Sequence, residues 1–139
     1  MHGDEKRPTG LLVPPGLPAD NPLSKYPVVY TRSPEEAREA PARVADVRAF
    51  DLPQGPQRFL AQLNYFSFHG IDLAFTSTAA EVAMRFGGRP QVRQQIGLAG
   101  MASSVTGGKT IEVTRERSCI IAPEADVTIR SGAGHRQVC

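Results

Sequence analysis

The residues able to do chemistry in this chain are few and widely spaced. A metal-dependent oxygenase or isomerase on a β-barrel needs imidazole and carboxylate ligands that converge from neighbouring strands and leave coordination positions open. The three histidines are His2, His69 and His135. His2 lies in a proline-rich stretch, the other two stand beside turn residues, and no H-x-H pair occurs, so both turn histidines are expected to face solvent. Ser103, Ser104 and Ser131 have no base spaced to activate them and no G-x-S-x-G elbow. Gly107-Gly108-Lys109-Thr110 has the ending of a phosphate-binding loop, but Ser103 stands where that loop's first glycine belongs, and the segment joins strands. A hairpin turn is the expected structure there. Cys119 sits in an apolar run, where a thiol packs as a small hydrophobe and burial raises its pKa. With Cys139 it makes two cysteines, neither a disulfide framework nor a zinc spacing. The pattern calls for no catalytic residues, no metal and no cofactor.

What remains is binding. A ligand pocket needs a concave apolar lining with a few polar groups to orient its occupant. Period-two parity nominates Phe59, Leu63 and Tyr65 on one strand, Phe75 on its partner, Met84 and Phe86 on the next, and Gln94, Ile96 and Leu98 beyond. Most of these would also simply fill a barrel. Tyr65 and Gln94 stand out because a buried hydroxyl or amide must find a hydrogen-bond partner, and a ligand can be one.

The elements that must position these side chains are mostly strands. Residues 58–68 alternate, His69-Gly70 breaks them, and Ile71, Leu73 and Phe75 resume the alternation, which predicts a hairpin. Val82 to Phe86, Val92 to Leu98, Ile111 to Val113, Cys119 to Ile121 and Val127 to Arg130 follow as short strands, divided by glycine and proline turns. Ser33, Pro34 and Glu36 form a helix start of the S-x-x-E kind. Pro41 stops that helix near Ala40, and its small, charged surface suits a cover packed on a sheet. Residues 1–27 carry prolines at a density that blocks regular structure. They read as an arm or tail, whose Leu11, Leu12 and Val13 are able to dock on the domain formed by residues 28–139.

Net charge is +2 with the two signs interspersed, so no basic stripe marks a nucleic-acid surface. No apolar run is long enough to span a bilayer and no signal-type segment opens the chain, so a cytoplasmic location is expected. The last segment, His135 to Cys139, starts as a strand and then stops. The chain therefore reads as a piece of something longer, and this final strand as an unpaired edge able to join a second copy.

From about Thr31 to Cys139 the order of elements resembles the N-terminal cupin-like sensing domain of the AraC/XylS-type bacterial transcription regulators. The resemblance rests on the helix start Thr31-Arg32-Ser33-Pro34-Glu35-Glu36-Ala37, the strand pair from Phe59 to Phe75, the strand Val92 to Gly100 ending in glycine, and Cys119-Ile120-Ile121-Ala122-Pro123-Glu124. It implies a mainly β, cupin-like jelly-roll sandwich or barrel with a short N-terminal helix. It also implies a small-molecule effector inside the barrel, a homodimer, and relay to promoter DNA through a C-terminal helix-turn-helix region that these residues lack. The isolated chain should then not bind DNA specifically. The alternatives are a free-standing cupin, either a small-molecule binder or a metal-dependent enzyme, and a self-association module, because one fold hosts many functions.

Overall fold

The computed structural model describes residues 21–55 and 58–139. Two antiparallel sheets face each other and form a cupin-like sandwich. The first sheet contains β1 (Pro27–Thr31), β3 (Ala61–Phe68), β4 (Ile71–Thr78), β11 (Arg136–Val138), β6 (Arg93–Ala99) and β9 (Cys119–Ile121), in that order. The second contains β2 (Val47–Asp51), β5 (Val82–Phe86), β10 (Val127–Ser131), β7 (Ala102–Thr106) and β8 (Lys109–Val113).

Both expected tight turns form, and glycine makes each possible. Thr106 stands opposite Lys109, and the two residues between them, Gly107 and Gly108, have φ of 55° and 75°, a conformation that glycine adopts without steric cost. The segment is thus a hairpin loop and not a phosphate cradle. In the other hairpin Phe68 stands opposite Ile71, with His69 and Gly70 at φ of 49° and 78°.

The helix α1 (Pro34–Glu39) starts where the sequence predicts, with the Ser33 hydroxyl accepting from the Glu36 amide at 3.3 Å. The capping box closes differently from the standard form. Glu36 accepts from the Thr31 hydroxyl at 2.5 Å, and that same hydroxyl oxygen accepts from the Ser33 amide at 2.9 Å. Thr31 thus links the end of β1 to the helix. Ala37 and Ala40 are buried and pack into two small clusters, one with Phe59, Ala61 and Val82 and one with Val29 and Leu63. A third cluster, around Val113, Ile121 and Val127, fills the other side of the sandwich.

Two expectations are corrected here. Residues 135–139 do not form an exposed edge: β11 lies inside the first sheet, paired with β4 on one side and β6 on the other. Pairing between distant segments does not show in local alternation, so an edge and a central strand of this length look alike in sequence. His135 is not a solvent-facing turn residue either, because it is only 2% exposed. The arm's Leu11, Leu12 and Val13 lie outside the described residues. Asn21 to Tyr26 do lie against the first sheet, with the Asn64 amide donating to the Pro22 carbonyl at 2.9 Å.

Candidate functional site

Cross-strand register decides which expected pocket residues share a space. Phe59, Leu63, Met84 and Phe86 all pack between the sheets. Phe75 does not join them. The two-residue turn at His69-Gly70 puts Leu63 opposite Thr76 and Asn64 opposite Phe75, and directly opposed residues share a sheet face. Phe75 therefore occupies the outer face of the first sheet, buried beneath the Arg136 guanidinium, 5.5 Å from its ring centre.

The parity of β6 is reversed in the same way. Gln94 stands opposite Ile120, which is 65% exposed, and Ile96 stands opposite Val138 and is 44% exposed. Gln95 and Gly97 face the interior instead, and Leu98 sits half-buried where the register with β11 shifts. A physical reason for this parity is Gly97: a Cβ there would lie 2.5 Å from the Thr114 carbonyl oxygen. Only glycine fits that close approach, which directs position 97, and with it Gln95, inward.

The interior that results holds a string of polar side chains. The Ser104 hydroxyl donates to the Gln95 side-chain oxygen at 2.5 Å, and the Gln95 amide donates to the Gln137 side-chain oxygen at 3.2 Å. His135 Nε2 meets that same oxygen at 2.8 Å, and Gln137 Nε2 donates to the Cys139 sulfur at 3.2 Å. An amide oxygen only accepts, so His135 Nε2 must carry the hydrogen. His135 Nδ1 is then left buried with no partner. Ser104, Gln95, His135 and Gln137 are all buried, and a directional chain of this kind stiffens the core in which it lies. Burial also pushes the Cys119 thiol up, and pushes the Cys139 thiol up to about 12.

The end of the sandwich beyond Cys139 is more polar. Arg93 donates to the Gly87 carbonyl at 2.7 Å with its guanidinium 5.7 Å from the Phe86 ring centre, and burial lowers its pKa. Arg89 donates to the Val44 carbonyl at 3.2 Å. Tyr65 is half-buried, and burial first, then the Asp72 carboxylate, raises its hydroxyl pKa. Sequence parity thus missed Gln95, Ser104, His135 and Gln137. The available signal was Gly97, since a glycine inside a strand marks a close approach of another backbone.

Among the described residues no three His, Cys, Asp or Glu side chains gather in a way that could hold a metal ion. No described helix is long and apolar enough to cross a membrane.

No curated protein sequence matches the chain. Among solved structures, a protein of unknown function from Vibrio parahaemolyticus is similar at 13% identity and a TM-score of 0.47, over 57% of this chain and 84% of that one. The Cnp3 cupin domain of Schizosaccharomyces pombe is similar at 11% identity and a TM-score of 0.44, over 66% and 69%. An RmlC-like cupin from Shewanella frigidimarina is similar at 14% identity and a TM-score of 0.38, over 69% and 81%. A family model described as the AraC-binding-like domain matches residues 38–139, and the chain belongs to that family.

Proposed function

We propose that this chain is the effector-sensing part of an AraC-type transcription regulator: it binds a small molecule between its sheets and relays occupancy to a DNA-binding unit outside these 139 residues. Family membership over residues 38–139 supports the regulatory role. The single structural observation that carries the binding role is the buried string Ser104–Gln95–Gln137–His135, with His135 Nδ1 unpartnered. Buried polar groups need partners, and groups of this type between the sheets, where Leu63, Met84 and Phe86 also pack, suit an uncharged ligand with hydroxyl or amide donors. In the neutral histidine ring, Nδ1 offers a lone pair to such a donor.

The proposal is for a non-catalytic role, in keeping with family membership over residues 38–139. It also includes a cytoplasmic location and a homodimer. With β11 paired on both sides, that dimer does not form through the last strand.

The test is a thermal-shift panel of uncharged hydroxyl- and amide-bearing metabolites, with each hit titrated calorimetrically against the native protein and Gln95→Leu. An affinity that falls about tenfold or more in the variant supports the interior site, since losing one buried polar contact has that effect. Hits whose affinity is unchanged in the variant overturn it.

A further inference from the structure

The outer face of the first sheet holds a second arrangement of polar groups, separated from the interior by the sheet itself. Tyr30 stands opposite Gln62, Gln62 opposite Ser77, and Ser77 opposite Arg136. Opposed residues share a face, so four neighbouring strands place a phenol, an amide, a hydroxyl and a guanidinium in one row. These four side chains line a cleft of about 250 Å³, to which Leu60 and Ala79 add apolar wall.

Hydrogen bonds determine which atoms the cleft presents. Arg136 has only donors, and its Nη2 bonds the Asn21 side-chain oxygen. That contact leaves the Asn21 amide nitrogen to donate, and it does so to the Gln62 side-chain oxygen at 2.8 Å. The Gln62 amide nitrogen is therefore the free end of the relay. It is buried with no partner, in a residue only 4% exposed. Thr78, at the end of β4, borders the cleft as well.

The guanidinium is held in place by its stacking over Phe75. The ion pairs among the described residues are Arg48–Asp46 and Arg85–Asp126, and Arg136 belongs to neither. Among the described residues no acidic side chain lines the cleft. A fixed cation, a spare amide donor and hydroxyls able to donate, beside a small apolar wall, form a site for an anion.

We propose that this cleft binds a small monocarboxylate, with Arg136 and the Gln62 amide holding the carboxylate oxygens and Leu60 and Ala79 contacting its short apolar tail. A planar carboxylate matches the guanidinium fork, and a compact acid fits a cleft of this volume. The site is distinct from the one between the sheets and does not depend on it.

The test is calorimetric titration of the full chain with sodium butyrate at constant ionic strength, with butyramide and inorganic phosphate as separate probes. The expected result is one butyrate per chain, no butyramide binding, and weaker phosphate binding. Arg136→Gln and Gln62→Leu should each weaken butyrate about tenfold or more, as loss of a hydrogen bond to a charged group does, while Gln95→Leu leaves it unchanged. Gln62→Leu keeps the test decisive if Arg136→Gln fails to fold. Butyrate binding that survives both outer-face substitutions overturns the proposal, and so does phosphate binding at least as tight as butyrate. Asp20 precedes Asn21 in the chain. If butyrate binds only to Asp20→Asn protein, the chain's own carboxylate is the occupant and the proposal of an external ligand fails.

Discussion

The Gln95 amide nitrogen donates to the Gln137 side-chain oxygen at 3.2 Å, joining β6 to β11 inside the sandwich. Gln137 accepts from His135 as well, and Gln95 accepts from Ser104, so the pair is the centre of the buried polar string. Removing Gln95 would leave Ser104 and Gln137 with unmet bonding capacity. Gln95→Leu should therefore destabilise the fold by about 1–3 kcal/mol, the cost of stranding buried polar groups. Gln94→Leu, on the exposed face, should stay within about 0.5 kcal/mol of the native protein. Urea unfolding of both variants checks the contrast, and equal effects would contradict the assigned parity of β6.

Gly97→Ala should be costly for a steric reason. Its Cβ would lie 2.5 Å from the Thr114 carbonyl oxygen, and backbone must move to admit it. An overpacked site of this kind costs about 1–3 kcal/mol. A thermal midpoint unchanged from the native protein would show that the segment at Thr114 yields freely.

Ser33→Ala removes the side chain that caps α1 and should lower stability by about 1 kcal/mol. Thr31→Val should also destabilise, because the Thr31 hydroxyl serves both Glu36 and the Ser33 amide. Chemical denaturation of the two single variants and the double variant measures their coupling. The expected double-variant loss is smaller than the combined single losses, since the residues act in one network.

The thiols should be inert while the protein is folded. Cys119 and Cys139 both have pKa values raised by burial, and the thiolate is the reactive form. Neither should react with a thiol reagent near pH 8 until urea is added. For Cys139 the folded value is raised from 9.0 to about 12. Its contribution to stability is thus complete below the unfolded value, and is lost as pH rises from about 9 towards about 12. Cys139→Ala should show a shallower fall in stability over that alkaline range, and identical slopes would place the thiol in solvent.

Self-association is the final expectation. The outer face of the first sheet exposes Ile96 and Ile120, and light scattering over a concentration series should return a dimer mass that Ile120→Lys shifts towards the monomer. A monomer mass at all concentrations would remove the homodimer from the proposed function.

The division between what was legible and what was not follows a physical line. Alternation at period two, the helix start at Ser33-Pro34 and the glycine turns are local, because each depends on backbone preferences of a few adjacent residues. They were enough to determine a mainly β sandwich with one short helix, and the hairpin at Gly107-Gly108 in place of a phosphate loop. Which face of each strand points inward was decided only by tertiary structure. Phe75 is buried on the outer face of its sheet, where Asn21 and Pro22 lie against the neighbouring strand, so apolar residues serve both faces and parity alone cannot choose between them. Gln137 and His135 reach the interior because β11 inserts between β4 and β6. That pairing joins residues far apart in sequence, and no local preference encodes it.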